Sequence, residues 1–383
     1  MEATRRLFDE NAYQSAFSAT VLQCEPDEKG GFAVVLDQTA FFPEGGGQYP
    51  DVGTLNGIPV TDVQEKNGVI FHTVSEALPV GATVSGEIDG VRRFDFMQQH
   101  SGEHIFSGLA HSRFGATNVG FHLGLSVMTI DLDVPLSESD IIGLELSANE
   151  CVYQNLPIEI TYPTAEELAV LPYRSKKELT GKVRIVTIPG YDICACCGTH
   201  VARTGEIGLI KIVSFQNYKG GTRLTMLCGK RALSDYQCRT HDVTEVTTRL
   251  SVKPEELSSA VSRLENEITN HKITESALRR ELFAAKAAAL GTGKRCFVFE
   301  DALSPDELRR YCLTLAERFD VAGVFSGSDG NWRFAIASQS GDTTPYVAAL
   351  RENFSGRGGG KPELCQGTCC GNRSEMEDLL NNL

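Results

Sequence analysis

His100 and His104 are four residues apart inside residues 96–110, where Phe96, Ile105, Leu109 and Ala110 recur at helical spacing. On a helix, positions i and i+4 lie one above the other on the same face. Such a pair can place two imidazoles on one ion. A second cluster, Asp192-Ile193-Cys194-Ala195-Cys196-Cys197-Gly198-Thr199-His200, repeats the spacing with Cys196 and His200 and adds Cys194 and Cys197 as further thiols. His-x3-His and Cys-x3-His together supply four nitrogen and sulfur ligands, the set that suits zinc. The constraint is long-range, because the fold must bring a helix near residue 100 against a cysteine stretch near residue 200. The alternative is two polar residues on a helix surface and small buried thiols in a strand-to-turn region.

At 383 residues, 41% hydrophobic and 22% charged, the chain has room for two or three globular domains. No apolar run approaches a membrane span, and Met1-Glu2-Ala3-Thr4-Arg5-Arg6 leads into no signal-peptide core, so a cytoplasmic protein with no membrane partner is expected. Its twelve cysteines are then read as reduced thiols, some on metal. The net charge of -14 argues against a nucleic-acid partner, but residues 171–240 carry twelve Lys/Arg, Arg223 among them, against Glu178, Asp192, Glu206 and Asp235. That segment can face a phosphate backbone.

Residues 1–90 read as a small β-barrel, with short β-branched runs at 17–22, 31–36, 68–74 and 82–88 separated by Gly, Asn and Pro. His72 lies in one of these runs and is read as structural. Residues 91–245 mix helix and strand. Residues 250–290 form a long amphipathic helix, Pro254 near its start, with a seam of Leu257, Val261, Leu264, Ile268, Leu278 and Leu282 interrupted by His271 and Glu275. It serves as spacer, hairpin half or homodimer contact. Residues 291–383 read as an α/β unit with strands near 295–299, 321–325 and 332–337. Its last turn region, residues 355–367, is read as a glycine loop in which Arg357 and Lys361 can meet phosphates.

Four motifs stand in order: Thr39-x-Phe-Phe-Pro-Glu-Gly-Gly-Gly-Gln48, Gln99-His100-x3-His104, Cys196-x-Gly-Thr-His200 and Gly356-Arg-Gly-Gly-Gly-Lys-Pro-Glu363. Together they resemble the long form of the stand-alone alanyl-tRNA editing proteins, the AlaX family. These are similar to the editing and C-terminal portions of alanyl-tRNA synthetase without its aminoacylation core. The resemblance covers nearly the whole chain. It implies an α+β multidomain fold: the N-terminal barrel, a zinc-binding editing domain at 91–245, the helical linker, and a C-terminal α/β domain at 291–383 resembling that of the synthetase and binding tRNA. It also implies hydrolysis of tRNA(Ala) mischarged with serine or glycine, and one zinc on His100, His104, Cys196 and His200. The family usually has Cys-Gly-Gly-Thr-His, and Cys197 here replaces the first glycine, which leaves open which thiol binds.

On that reading Gly45, Gly46, Gly47 and Gln48 hold the 3′ end, with Gln48 also a candidate for catalysis. Thr39 matches the family position associated with recognition of the serine hydroxyl. Glu103 is a secondary candidate base, being about 100° around the helix from His104. Arg223, Arg357 and Lys361 are expected on tRNA. His100-x-x-Glu103-His104 also fits the H-x-x-E-H pattern of zinc peptidases, and a non-catalytic zinc protein that binds tRNA is a further alternative.

Overall fold

The computed structural model describes residues 2–27, 30–175 and 183–383. Lys176, Lys177, Glu178 and Lys182 of the basic segment lie outside the described residues. The chain is α+β throughout and divides into two compact units, Met1–Glu245 and Val246–Leu383.

In the first unit, strands Ala16–Pro26, Phe32–Leu36, Val69–Val74, Ile58–Lys66, Gly53–Leu55 and Thr83–Ile88 pair in that order, and the last returns to the first. Alternation explains the closure: Val84, Gly86 and Ile88 point in while Thr83, Ser85 and Glu87 point out. Two of these strands, Gly53–Leu55 and Ile58–Lys66, escape the sequence reading. Their signal lies in the turns, since Asn56-Gly57 and Asn67-Gly68 both adopt the paired positive φ of tight two-residue hairpins.

Asp89 then caps helix Gly90–Phe114 by accepting from the Arg92 N–H, and Gly115 at φ 65° ends it. Every residue from Phe96 to Ala110 is buried, so this is a central helix rather than a one-faced amphipathic one. Around it lie an antiparallel sheet (Ile210–Tyr218, Gly221–Cys228, Met128–Leu132, Asn118–Leu123), a smaller one (Glu159–Thr161, Ile185–Ile188, Asp192–Ala195) and helix Glu138–Gln154. Two glycines set how closely the helix seats. A Cβ on Gly102 would stand 2.3 Å from Cys228 Sγ, and one on Gly108 would stand 2.4 Å from Tyr191 O. Fully buried Arg93 donates to Ala12 O at 2.8 Å, to Ala40 O at 2.7 Å and to both Asp51 oxygens, while Asp51 also accepts the Phe42 N–H at 2.7 Å. With its partners complete, this buried pair fixes the stretch around the triple glycine to the base of the central helix.

Helix Gly229–Leu250, unanticipated from the sequence, leads out of the first unit. In the second unit, helix Leu257–Leu290 leaves Val261, Leu264, Ile268, Leu278 and Leu282 of its seam exposed, whereas Phe283 and Ala287 are buried. Phe283 stacks on Tyr311 at 4.6 Å, so the end of the helix belongs to the core of the sheet unit. That sheet runs Gly293–Glu300, Phe319–Ser328, Asn331–Ser338, Leu364–Cys369, Arg357–Lys361, parallel at its first pair across helix Pro305–Ala316 and antiparallel thereafter.

The expected glycine loop at residues 355–367 is instead a hairpin whose outer strand is Arg357–Lys361. A Cβ on Gly358 would meet Gln366 O at 2.4 Å, and one on Gly367 would meet Arg357 O at 2.2 Å. The glycines serve close strand approach, a use that composition alone does not distinguish from a loop.

Candidate metal centre

His100 and His104 project from the same face of the central helix, their ring centroids 5.2 Å apart. The hairpin of Ile185–Ile188 and Asp192–Ala195 delivers the cysteine stretch to them, and the His200 ring lies 4.6 Å from each of the other two. One donor atom from each of His100, His104, Cys196 and His200 falls within 4.8 Å of all the others. The structure thus brings together the four residues singled out by spacing. Cys197 is exposed, with its sulfur against Gly46, and Cys194 groups with His104 and Asp192.

The other ring nitrogen of each histidine has its own acceptor. His100 Nδ1 is 3.1 Å from Gln48 Oε1, His104 Nδ1 is 2.9 Å from Asp192 Oδ2, and His200 Nδ1 is 3.1 Å from Ser101 Oγ. The Gln48 and Asp192 oxygens only accept, which puts a ring proton of His100 and His104 on Nδ1 and turns Nε2 toward a metal, and the Ser101 hydroxyl is able to accept from His200 in the same way. His200 Nε2 is buried with no hydrogen-bond partner, a costly state for a ring nitrogen unless a cation sits before it. Burial alone would raise the Cys196 thiol, but attraction to the facing His100 and His104 holds it well below the usual range and raises His104 in turn, an ion pair whose ring proton a metal would displace. Burial takes His200 down to about 3, which keeps its ring neutral. The donor set therefore fits a zinc ion.

Asp192 is engaged on both oxygens, accepting from Arg174 Nε at 2.7 Å and Nη2 at 2.9 Å as well as from His104. Both of its oxygens are therefore committed to Arg174 and His104, although it also groups with His104 and Cys194. Neither Asp192 nor Arg174 received a role from sequence. Asp192 opened the cysteine stretch, but its partner His104 lies 88 positions away.

Glu103 is placed more centrally than its helical angle predicts. Its Oε1 accepts from Ser107 Oγ at 2.6 Å and Asn118 Nδ2 at 2.5 Å, while Oε2 reaches 3.9 Å from His104 Nε2. The length of the side chain covers the angle, and the two donors pin it. Gln48, expected on the substrate, has its amide engaged instead by His100 and by Thr199 Oγ1 at 3.1 Å.

Gly46 and Gly47 line a cavity of about 900 Å3 together with His100, Glu103, His104 and Cys196. Gly47, at φ 85°, lies where a Cβ would meet the Phe121 ring at 2.7 Å. Gly45 is half-buried beside this wall. Thr39 is fully buried and is not among the lining residues. Its Oγ1 is 2.8 Å from His72 Nε2 and accepts the Phe41 N–H at 3.1 Å. Arg223 is held by Asp131 through two bonds of 2.6 Å and lies 3.6 Å above the Tyr218 ring. Arg357 and Lys361 are exposed at the ends of the outer strand in the second unit. No helix among the described residues is long and apolar enough to cross a membrane.

Residues 183–225 match the family described as the threonyl and alanyl tRNA synthetase second additional domain, and residues 11–92 match class II (A) tRNA synthetases. The chain is 29% identical to the alanyl-tRNA editing protein Aarsd1 of Danio rerio, over 97% of this chain and 95% of that one. To Aarsd1 of Mus musculus it is 33% identical, over 68% and 67%. It is also 33% identical to the alanine–tRNA ligase of Halobacterium salinarum across 85% of this chain, but spans only 38% of the ligase. Among solved structures, the C-Ala domain of Aquifex aeolicus alanyl-tRNA synthetase is 25% identical over 24% of this chain and 87% of that domain, with a TM-score of 0.20.

Proposed function

Because the chain belongs to the family of alanyl-tRNA editing proteins, we propose that it hydrolyses the ester of tRNA(Ala) wrongly charged with serine, or with glycine, at a zinc centre on His100, His104, Cys196 and His200. The observation that carries this reading is the buried convergence of three outward-fixed imidazoles and one thiolate on a cavity roomy enough for more than an amino acid. The ligand set, with its cysteine and third histidine, also favours this reading over an H-x-x-E-H peptidase.

Zinc, when bound there, supplies Lewis acidity toward the ester carbonyl and lowers the pKa of water. Gln48, Asp192 and Ser101 hold the three imidazoles in register. Glu103 Oε2 takes the proton of the attacking water as its oxygen bonds to the carbonyl carbon. The carbon–oxygen bond to the ribose then breaks, and the proton passes to the departing ribose hydroxyl. Serine and uncharged tRNA result. Thr39, buried on His72 and outside the cavity lining, bears on the choice between serine and alanine only through its neighbours, and Arg357 and Lys361 hold the body of the tRNA.

The test is single-turnover deacylation of Ser-, Gly- and Ala-tRNA(Ala) by the full chain. Loss of activity on Ser-tRNA(Ala) with a chelator and its return with zinc are expected. Glu103→Gln should slow the step about 10²- to 10⁴-fold with zinc content intact. Hydrolysis that survives complete zinc removal would overturn the zinc reading.

A further inference from the structure

The same cavity is also lined by Arg6, Asp9, Tyr162 and Arg184, which the chemistry above does not use. Arg184 is the buried one, its side chain only 8% exposed. Its Nη1 donates to the carbonyl oxygens of Cys196 at 2.8 Å and Gly198 at 3.0 Å, so the guanidinium braces the turn that carries the thiolate. Its Nε is buried without a hydrogen-bond partner. The nearest acid oxygen, Asp9 Oδ1, is 3.7 Å away, inside ion-pair range but beyond a hydrogen bond. Buried donors of charged groups are rarely left without a hydrogen bond, so this N–H has capacity for one more acceptor.

A guanidinium is a donor only, and its planar fork suits oxyanions. An aminoacyl-tRNA 3′ end offers few of these. Its amino acid carboxyl is esterified, and the ribose hydroxyls and base are neutral. The backbone phosphates are its charged acceptors, and the nearest to the ester is the one on the 5′ side of the terminal nucleoside. Arg184 is bonded to the turn that carries Cys196, which puts its guanidinium beside the centre at which the ester is proposed to sit.

We propose that Arg184 binds the phosphate on the 5′ side of the terminal nucleoside through Nε, while Nη1 continues to hold the carbonyls of Cys196 and Gly198. The assignment rests on the editing reading above. It makes Arg184 a substrate-binding residue that couples seating of the 3′ end to the position of the thiolate. It also predicts that the enzyme favours esters carrying this phosphate over the bare aminoacyl nucleoside.

The experiment compares Ser-tRNA(Ala) with 3′-O-seryl-adenosine, which has the ester and no phosphate, using the full zinc-loaded chain and its Arg184→Gln and Arg184→Lys variants. For Arg184→Gln, the ratio of kcat/KM between tRNA and nucleoside should fall about 10- to 100-fold, the size of one charged hydrogen bond. The loss should appear mainly in KM. The slope of log KM against log salt should shrink by about 0.7, one single-strand phosphate contact. Arg184→Lys keeps the charge and should recover part of the tRNA KM. Equal losses on both substrates, with zinc content falling in step, would reduce Arg184 to a brace and overturn the assignment. An unchanged ratio with zinc intact would overturn it as well. A wild-type chain inactive on both esters would instead sink the editing reading and this assignment with it.

Discussion

Thr39 and His72 form one buried unit whose protons can be placed. His72 Nδ1 is 3.0 Å from the Val34 carbonyl, an acceptor only, so Nδ1 carries the ring hydrogen and Nε2 accepts the Thr39 hydroxyl. The sequence placed His72 in a strand and gave it a structural role, and that role includes setting the direction of the Thr39 hydroxyl. Thr39→Val therefore leaves His72 Nε2 and the Phe41 N–H unpaired, and should cost about 1–3 kcal/mol of stability. If Thr39 also reads serine, the Ser/Ala deacylation ratio in single turnover should narrow by about the same energy. A lower denaturation midpoint with an unchanged ratio would confine Thr39 to the barrel. Burial takes His72 down to about 4, the Val34 carbonyl only partly opposing it. Its folded pKa lies below its unfolded value of about 6.5, so the unfolded chain binds the extra proton. Stability is then complete above about pH 6.5 and falls as pH drops toward 4, by about 2 kcal/mol at pH 5 from this residue. Urea midpoints at pH 7.5 and 5 should show that fall in the wild type and a correspondingly smaller one in His72→Gln.

At the level of elements, the histidine pair was legible because helix periodicity is local: four residues suffice to place two imidazoles on one face. The outer partners were not, because a strand as short as Asp192–Ala195 has too few residues for alternation to register. Glu103 was underrated for a related reason. Helical angle places a Cβ, whereas Ser107 and Asn118 decide where the carboxylate goes. The line Arg174–Asp192–His104 joins a backbone bridge between Arg174 and Cys194 to helix Gly90–Phe114. Asp192→Asn keeps the shape but removes the charge that steadies the His104 proton, and should weaken zinc about 10- to 100-fold. Competition with a chromophoric chelator at fixed pH measures this directly, and an affinity equal to wild type would remove Asp192 from the metal's support.

At the scale of the whole molecule, the residue ranges read from composition cut the chain at 291, where the long helix gives way to strand. Packing joins the end of that helix to the sheet unit. Phe283 and Ala287 are buried in the same core as Leu308, Tyr311 and Leu315, and Lys286 reaches Glu300 at 2.6 Å. The helix seam showed which residues are apolar but not which of them find a partner. Deleting residues 291–383 would thus strip the helix end of its core and confuse loss of binding with exposed apolar surface. Ending the chain after Leu250, the last residue of helix Gly229–Leu250, removes both buried clusters of the second unit without cutting through either. The shortened chain should keep the centre, since His100, His104, Cys196 and His200 and their outer partners all lie in the first unit. Hydrolysis of seryl-adenosine, which has no tRNA body to hold, should stay within a few-fold of the full chain. The KM for Ser-tRNA(Ala) should rise, and its salt dependence should flatten by the phosphate contacts proposed for Arg357 and Lys361. If KM and salt slope both survive the truncation, the second unit does not hold tRNA, and the basic segment of the first unit must carry that load.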